Sequence, residues 1–110
     1  MKHIAYGEMQ IGTDDRLADL VLRYATLLAR SGSADTVTIP GRIGSGDVEA
    51  ISILVGPASQ ITAWSDDEPF ESDVTAATAD LERRIGAMST TIPTSSERPA
   101  EALDDFDDLA

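Results

Sequence analysis

The segment from Asp14 to Ser31 constrains the fold most. Leu17, Leu20, Val21, Tyr24, Leu27 and Leu28 recur at intervals of three or four residues, while Arg16, Asp19, Arg23, Thr26 and Arg30 fill the other side. Such a segment is an amphipathic helix, and its apolar stripe must be buried against another layer. Its limits are legible too. Thr13 or Asp14 can cap the first free amides, Arg30 suits the negative end of the helix dipole, and Gly32 can adopt the left-handed conformation that ends the helix. Leu22 falls off the main stripe, where it would widen the buried face or touch a second subunit.

The layer that covers this helix is predicted to be a sheet. His3 to Ile11 reads as one strand, with Ile4 and Tyr6 on one parity and Met9 and Ile11 on the other, so Gly7 is expected to carry a bulge or bend that resets the register. Three further runs, Thr36 to Ile39, Val48 to Val55 and Gln60 to Trp64, are rich in β-branched or aromatic residues. Pro40 to Asp47 and Gly56 to Ser59 separate them, which predicts a meander. Its most apolar run, Ile51 to Val55, is expected at the centre.

A second helix is expected from Glu71 to Gly86, where Phe70, Val74, Ala77, Leu81 and Ile85 repeat at helical spacing and Met88 continues the stripe. Its cap is open between Ser65, which with Glu68 resembles a capping box, and Ser72. The fold class is therefore α+β, a two-layer sandwich in the order β-α-β-β-β-α. Two helices cover one face of a mainly antiparallel sheet. Residues 1–88 form the compact domain, the Ser/Thr/Pro-rich stretch 89–100 is a linker, and 101–110 is a tail expected to be disordered.

A compact unit of residues 1–88 without cysteine is near the lower limit for a domain that a lone core must stabilise. A homodimer burying the open sheet face or a strand edge is one way to add apolar burial. The absence of cysteine excludes disulfides, thiol catalysis and cysteine metal sites, and His3, the single histidine, leaves little for a triad or a zinc site. No apolar run approaches the roughly 18–20 residues of a membrane helix, and the first ten residues do not read as a secretory leader; both predict a cytoplasmic protein. Seven arginines against one lysine suit a GC-rich, bacterial coding sequence.

The net charge of −12 is unevenly spread. Residues 1–65 carry seven acids and five bases, residues 66–96 seven acids and two bases, and residues 97–110 six acids and one base. Such a field repels nucleic acid and anionic membranes and favours a basic protein partner. The cluster Asp66, Asp67, Glu68, Glu71 and Asp73 lacks the spacing of a calcium loop and is expected to serve the start of the second helix. Trp64 and Tyr6 are expected to pack in the core or on a sheet face.

Two regions are candidates for function. In the tail, Leu103, Phe106 and Leu109 stand three residues apart among Asp104, Asp105, Asp107 and Asp108, the layout of a short motif that docks in a basic-rimmed apolar groove. In the domain, the loops 41–47 and 56–60 could place Arg42, Ser59 and Gln60 around a small ligand. Ser59 lacks a nucleophile elbow, and the glycines of 41–47 precede a strand rather than a helix, so neither covalent catalysis nor a phosphate cradle is expected. Neither a cofactor nor a metal is implied. The chain reads as a non-catalytic protein-interaction or regulatory module, with a small-ligand or enzymatic domain and a self-associating structural subunit as the alternatives.

Overall fold

A computed structural model describes residues 1–58 and 60–90. They form β1 (Lys2–Tyr6), β2 (Met9–Thr13), α1 (Asp15–Ser31), β3 (Asp35–Ile43), β4 (Glu49–Val55), β5 (Ile61–Ser65) and α2 (Thr75–Thr90). The fold is α+β, with one five-stranded antiparallel sheet and two helices. The linker and tail beyond Thr90 lie outside the described residues, while Ser89 and Thr90 belong to α2. Among the described residues no helix is long and apolar enough to cross a membrane.

α1 forms where the stripe predicts it. Asp14 is the N-cap, its carboxylate accepting the Leu17 amide at 3.1 Å, and Gly32 closes the helix at φ 67° while its amide reaches the Leu28 and Ala29 carbonyls. Leu17, Ala18, Leu20, Val21, Tyr24 and Leu28 are buried, and Leu27 packs half-buried beside them.

The first strand is in fact two. Gly7, at φ 62°, does not bulge a single strand; it reverses the chain through a two-residue turn that pairs Tyr6 with Met9 and Ile4 with Ile11. A hairpin of this register explains the parity switch, because even positions of β1 share a face with odd positions of β2. The element order is therefore β-β-α-β-β-β-α rather than β-α-β-β-β-α.

The meander is corrected as well. The strand order is β4-β3-β2-β1-β5, so β5 crosses to the far edge and pairs with β1 instead of β4. The connection leaves β4 hard against the α1–β3 link: a Cβ at Gly56 would lie 2.9 Å from Ala34 Cβ and 3.0 Å from the Ser33 carbonyl oxygen. β4, expected at the centre, is an edge strand. Its alternation explains how it can be one, since Ile51, Ile53 and Val55 face the core while Ser52 and Leu54 face out.

β3 runs through Pro40 to Ile43, farther than the sequence suggests. Over Asp35–Gly41 it pairs with β4, and over Arg42 and Ile43 with Gly12 and Ile11 of β2. The strand turns a corner at Pro40–Gly41, where the buried Thr13 hydroxyl donates to the Pro40 carbonyl at 2.8 Å. The sheet curls around this corner. In a flat sheet β1 and β4 would stand about 14 Å apart, three strand spacings, yet the Tyr6 hydroxyl donates to the Leu54 carbonyl. Ile4, Ile11, Val37, Ile39, Ile51, Ile53 and Val55 line the inner surface against α1 and against Leu81 and Ile85 of α2.

α2 starts later than expected. Neither Ser65 nor Ser72 caps it; the Asp73 carboxylate accepts the Thr75 amide at 2.9 Å, and Phe70 sits half-buried in the connection instead of heading the stripe.

Candidate functional site

Edge strands normally carry a protection against pairing with other chains: a lysine, a proline, a bulge, or a covering loop. Among the described residues β4 carries neither lysine nor proline, and its edge is met at Leu54, whose carbonyl accepts the Tyr6 hydroxyl. Its sequence, Glu49-Ala50-Ile51-Ser52-Ile53-Leu54-Val55, contains one charge, at its first residue, and pairs with β3 in an unbroken register. Leu54, on the outer face, is 54% exposed.

The C-terminal end of this strand opens on a concave surface of about 470 Å³ lined by Tyr6, Gly7, Leu54, Ala58 and Gln60. The β1–β2 turn supplies the first two residues, β4 the third, and the β4–β5 connection the last two. The curl of the sheet brings them together, and the Tyr6–Leu54 hydrogen bond fixes the wall between them. Its lining combines apolar surface from Leu54 and Ala58 with the Tyr6 ring and the Gln60 amide, a composition that suits an apolar side chain with a polar contact.

The residues proposed from sequence are only partly gathered here. Gln60 lines the pocket. Arg42 does not: it sits at the β3–β4 turn, where its Nε donates to the Gly46 carbonyl at 3.1 Å. Ser59 and the tail residues Leu103, Asp104, Asp105, Phe106, Asp107, Asp108 and Leu109 lie outside the described residues. Sequence reasoning missed Tyr6 and Leu54 as site residues, because their meeting depends on the curl. The local signal was a phenol placed immediately before a glycine turn.

Two clusters of ionisable groups are occupied in holding the fold. His3 stacks on Trp64 across β1 and β5, with ring centroids 5.5 Å apart, and its Nε2 meets the Asp66 carboxylate at 2.5 Å. Trp64 thus packs on the outer sheet face. Asp66 also lies 3.7 Å from the Met1 ammonium, whose other contacts are Asp15 and the Glu68 carbonyl. The expectation that the acids of 66–73 serve the helix start holds for Asp73, which accepts the Thr75 amide, but not for Asp66, which is committed to residues more than sixty positions away; the first turn of α2 itself contains no acid. Among the described residues no group of three or more His, Cys, Asp or Glu could hold a metal ion.

A second cluster joins three elements. Asp35 at the start of β3 accepts the Tyr24 hydroxyl of α1 at 2.5 Å and the Arg84 guanidinium of α2 at 2.8 Å, and Arg84 also reaches the Thr36 carbonyl and Asp80. The Tyr24 hydrogen bond, followed by the Thr36 amide and Arg84, holds the Asp35 carboxyl below its ordinary 3.8. Asp66, through His3, and Asp73, through Thr75, are lowered likewise. A depressed carboxyl stabilises the fold above its ordinary pKa and loses that contribution as pH falls through the folded value. The melting temperature is therefore expected to fall steeply below about pH 4, and Asp35→Asn should be less stable near neutrality and show a shallower acid slope. Thermal melts of both proteins between neutrality and about pH 3 check this; parallel curves would remove Asp35 from the acid response.

The chain matches no family model, no curated protein and no solved structure to which it was compared.

Proposed function

We propose that the chain is a cytoplasmic, non-catalytic protein-interaction module that adds an extended segment of a partner protein to its sheet along β4. One observation supports this reading: a seven-residue edge strand with a single charge ends at an apolar pocket of about 470 Å³. Main-chain pairing along Glu49–Ile53, ahead of the Leu54 carbonyl that Tyr6 occupies, would supply affinity, and the pocket would select one apolar side chain of the incoming strand. The net charge of −12 favours partners with basic flanks and makes the encounter sensitive to salt.

Selection from a random peptide library against the folded chain tests the proposal. Enriched peptides should alternate apolar and polar residues and should slow hydrogen exchange at Glu49–Val55. Ala50 is exposed on the outer face, so Ala50→Lys, which restores the usual edge protection, is expected to weaken such peptides by about tenfold or more without moving the melting temperature. Protection confined to the helices, or unchanged affinity in the variant, would overturn it. Sedimentation across concentration distinguishes a second copy of the chain from a different partner at the same edge.

A further inference from the structure

We propose that the outer flank of α1 is the docking site for this chain's own segment Leu103–Leu109. The flank forms one wall of a groove of about 220 Å³, with Leu22, Ala25, Thr26 and Ala29 on the helix and Gly56, Pro57 and Ile61 opposite. This position of Leu22 accounts for its departure from the core stripe: it faces the groove, half-buried.

The charges beside the groove point to the occupant. At 100° per residue, Arg23 and Arg30 share the strip of helix surface next to Leu22, Thr26 and Ala29, and their seven-residue separation places them about 10 Å apart along the axis. Both are exposed. Lys2, Arg16, Arg83 and Arg84 each contact a carboxylate, whereas Arg23 and Arg30 contact none among the described residues. In a chain with 20 acids and 8 bases, two uncommitted arginines on one strip are an unsatisfied demand for carboxylates.

Leu103–Leu109 supplies what this surface lacks. Leu103, Phe106 and Leu109 suit Leu22, Ala25 and Ile61 in a groove whose lining is about half polar, and Asp104, Asp105, Asp107 and Asp108 match the arginine strip. The connection is also long enough. Twelve residues separate Thr90 from Leu103, a reach of up to about 40 Å. α2 leads toward the right end of the groove, since Arg84 bonds Asp35 and Thr36, and Ala34, next to Asp35, backs the groove residue Gly56. A tether of this kind sets an effective concentration on the order of millimolar, so modest intrinsic affinity suffices.

The chain has no cysteine, so a single nitroxide can be attached through Ala110→Cys in the full-length protein. The expected result is loss of amide signal at Leu22, Ala25, Thr26 and Ala29, weakening as salt rises. Arg23→Glu with Arg30→Glu should abolish the loss while leaving the rest of the spectrum in place. Changing Asp104, Asp105, Asp107 and Asp108 to lysine in that background should restore it. The proposal is overturned if signal is lost on another surface or nowhere. It is equally overturned if the loss occurs only between spin-labelled and isotope-labelled molecules mixed together, which would make a second copy the occupant.

Discussion

Gly41→Val is expected to lower the melting temperature by roughly 4–24 °C, the effect of about 1–3 kcal/mol of overpacking in a domain of this size. A Cβ at Gly41 would stand 2.7 Å from Ile11 Cγ2, 3.2 Å from Ile51 Cδ1 and 3.3 Å from the Gly12 carbonyl oxygen. None of these can retreat cheaply. Ile11 is fully buried, Ile51 belongs to the paired edge strand, and Gly12 is backbone in the register that joins β2 to β3. The site matters because β3 changes partners there, from β4 to β2, and the curl that forms the Tyr6–Leu54 pocket depends on that change. Gly86→Ala is the control of opposite sign: nothing lies within 4 Å of the added methyl, so relief of helical glycine should raise stability by about 0.5–1 kcal/mol. A Gly41→Val protein melting within about 2 °C of the parent would show that the corner yields and that the curl is not set by this contact.

This corner also marks where the sequence stops being legible. α1 is readable because every determinant is local: the Asp14 carboxylate, the Leu17–Leu28 stripe and Gly32 all act within a turn or two. β4 is readable as a one-sided strand for the same reason, its alternation lying in consecutive residues. Its place at the edge is not, because that depends on β5 pairing with β1, more than fifty residues earlier, instead of with the strand it follows. The start of α2 misleads in the same manner. Ser65, Asp66 and Glu68 have the chemistry of a cap, but Asp66 is taken by His3, and Asp73 takes the helix amide instead. At the candidate site Gln60 is visible from its turn, whereas Tyr6 and Leu54 meet only after the sheet has curled, and Arg42 turns back on its own loop.

Leu81→Ala is expected to destabilise the protein by about 3 kcal/mol, a fall of roughly 12–24 °C. α2 is joined to the domain by two kinds of contact, and magnitudes decide which dominates. Its buried apolar anchors are Leu81, 1% exposed, and Ile85, with Val74, Ala77 and Met88 packed at the margin. Its polar ties are Arg16 to Glu82, which is largely exposed on both sides, the part-buried bond of Arg84 to Asp35 and its exposed bond to the Thr36 carbonyl. An exposed ion pair contributes less than about 1 kcal/mol, and the Arg84 bonds about 1–2 kcal/mol together, because Asp35 retains Tyr24 when Arg84 is lost. The loss in stability should therefore rank Leu81→Ala above Arg84→Ala, and Arg84→Ala above Arg16→Ala. With so narrow an apolar attachment, α2 should also open before the sheet does: in Leu81→Ala its amides should exchange well ahead of those of β1 and β2. If instead all three substitutions proved equal, or α2 and the sheet exchanged together in the Leu81 variant, α2 would be fastened by its charges and would belong to the same cooperative unit as the strands.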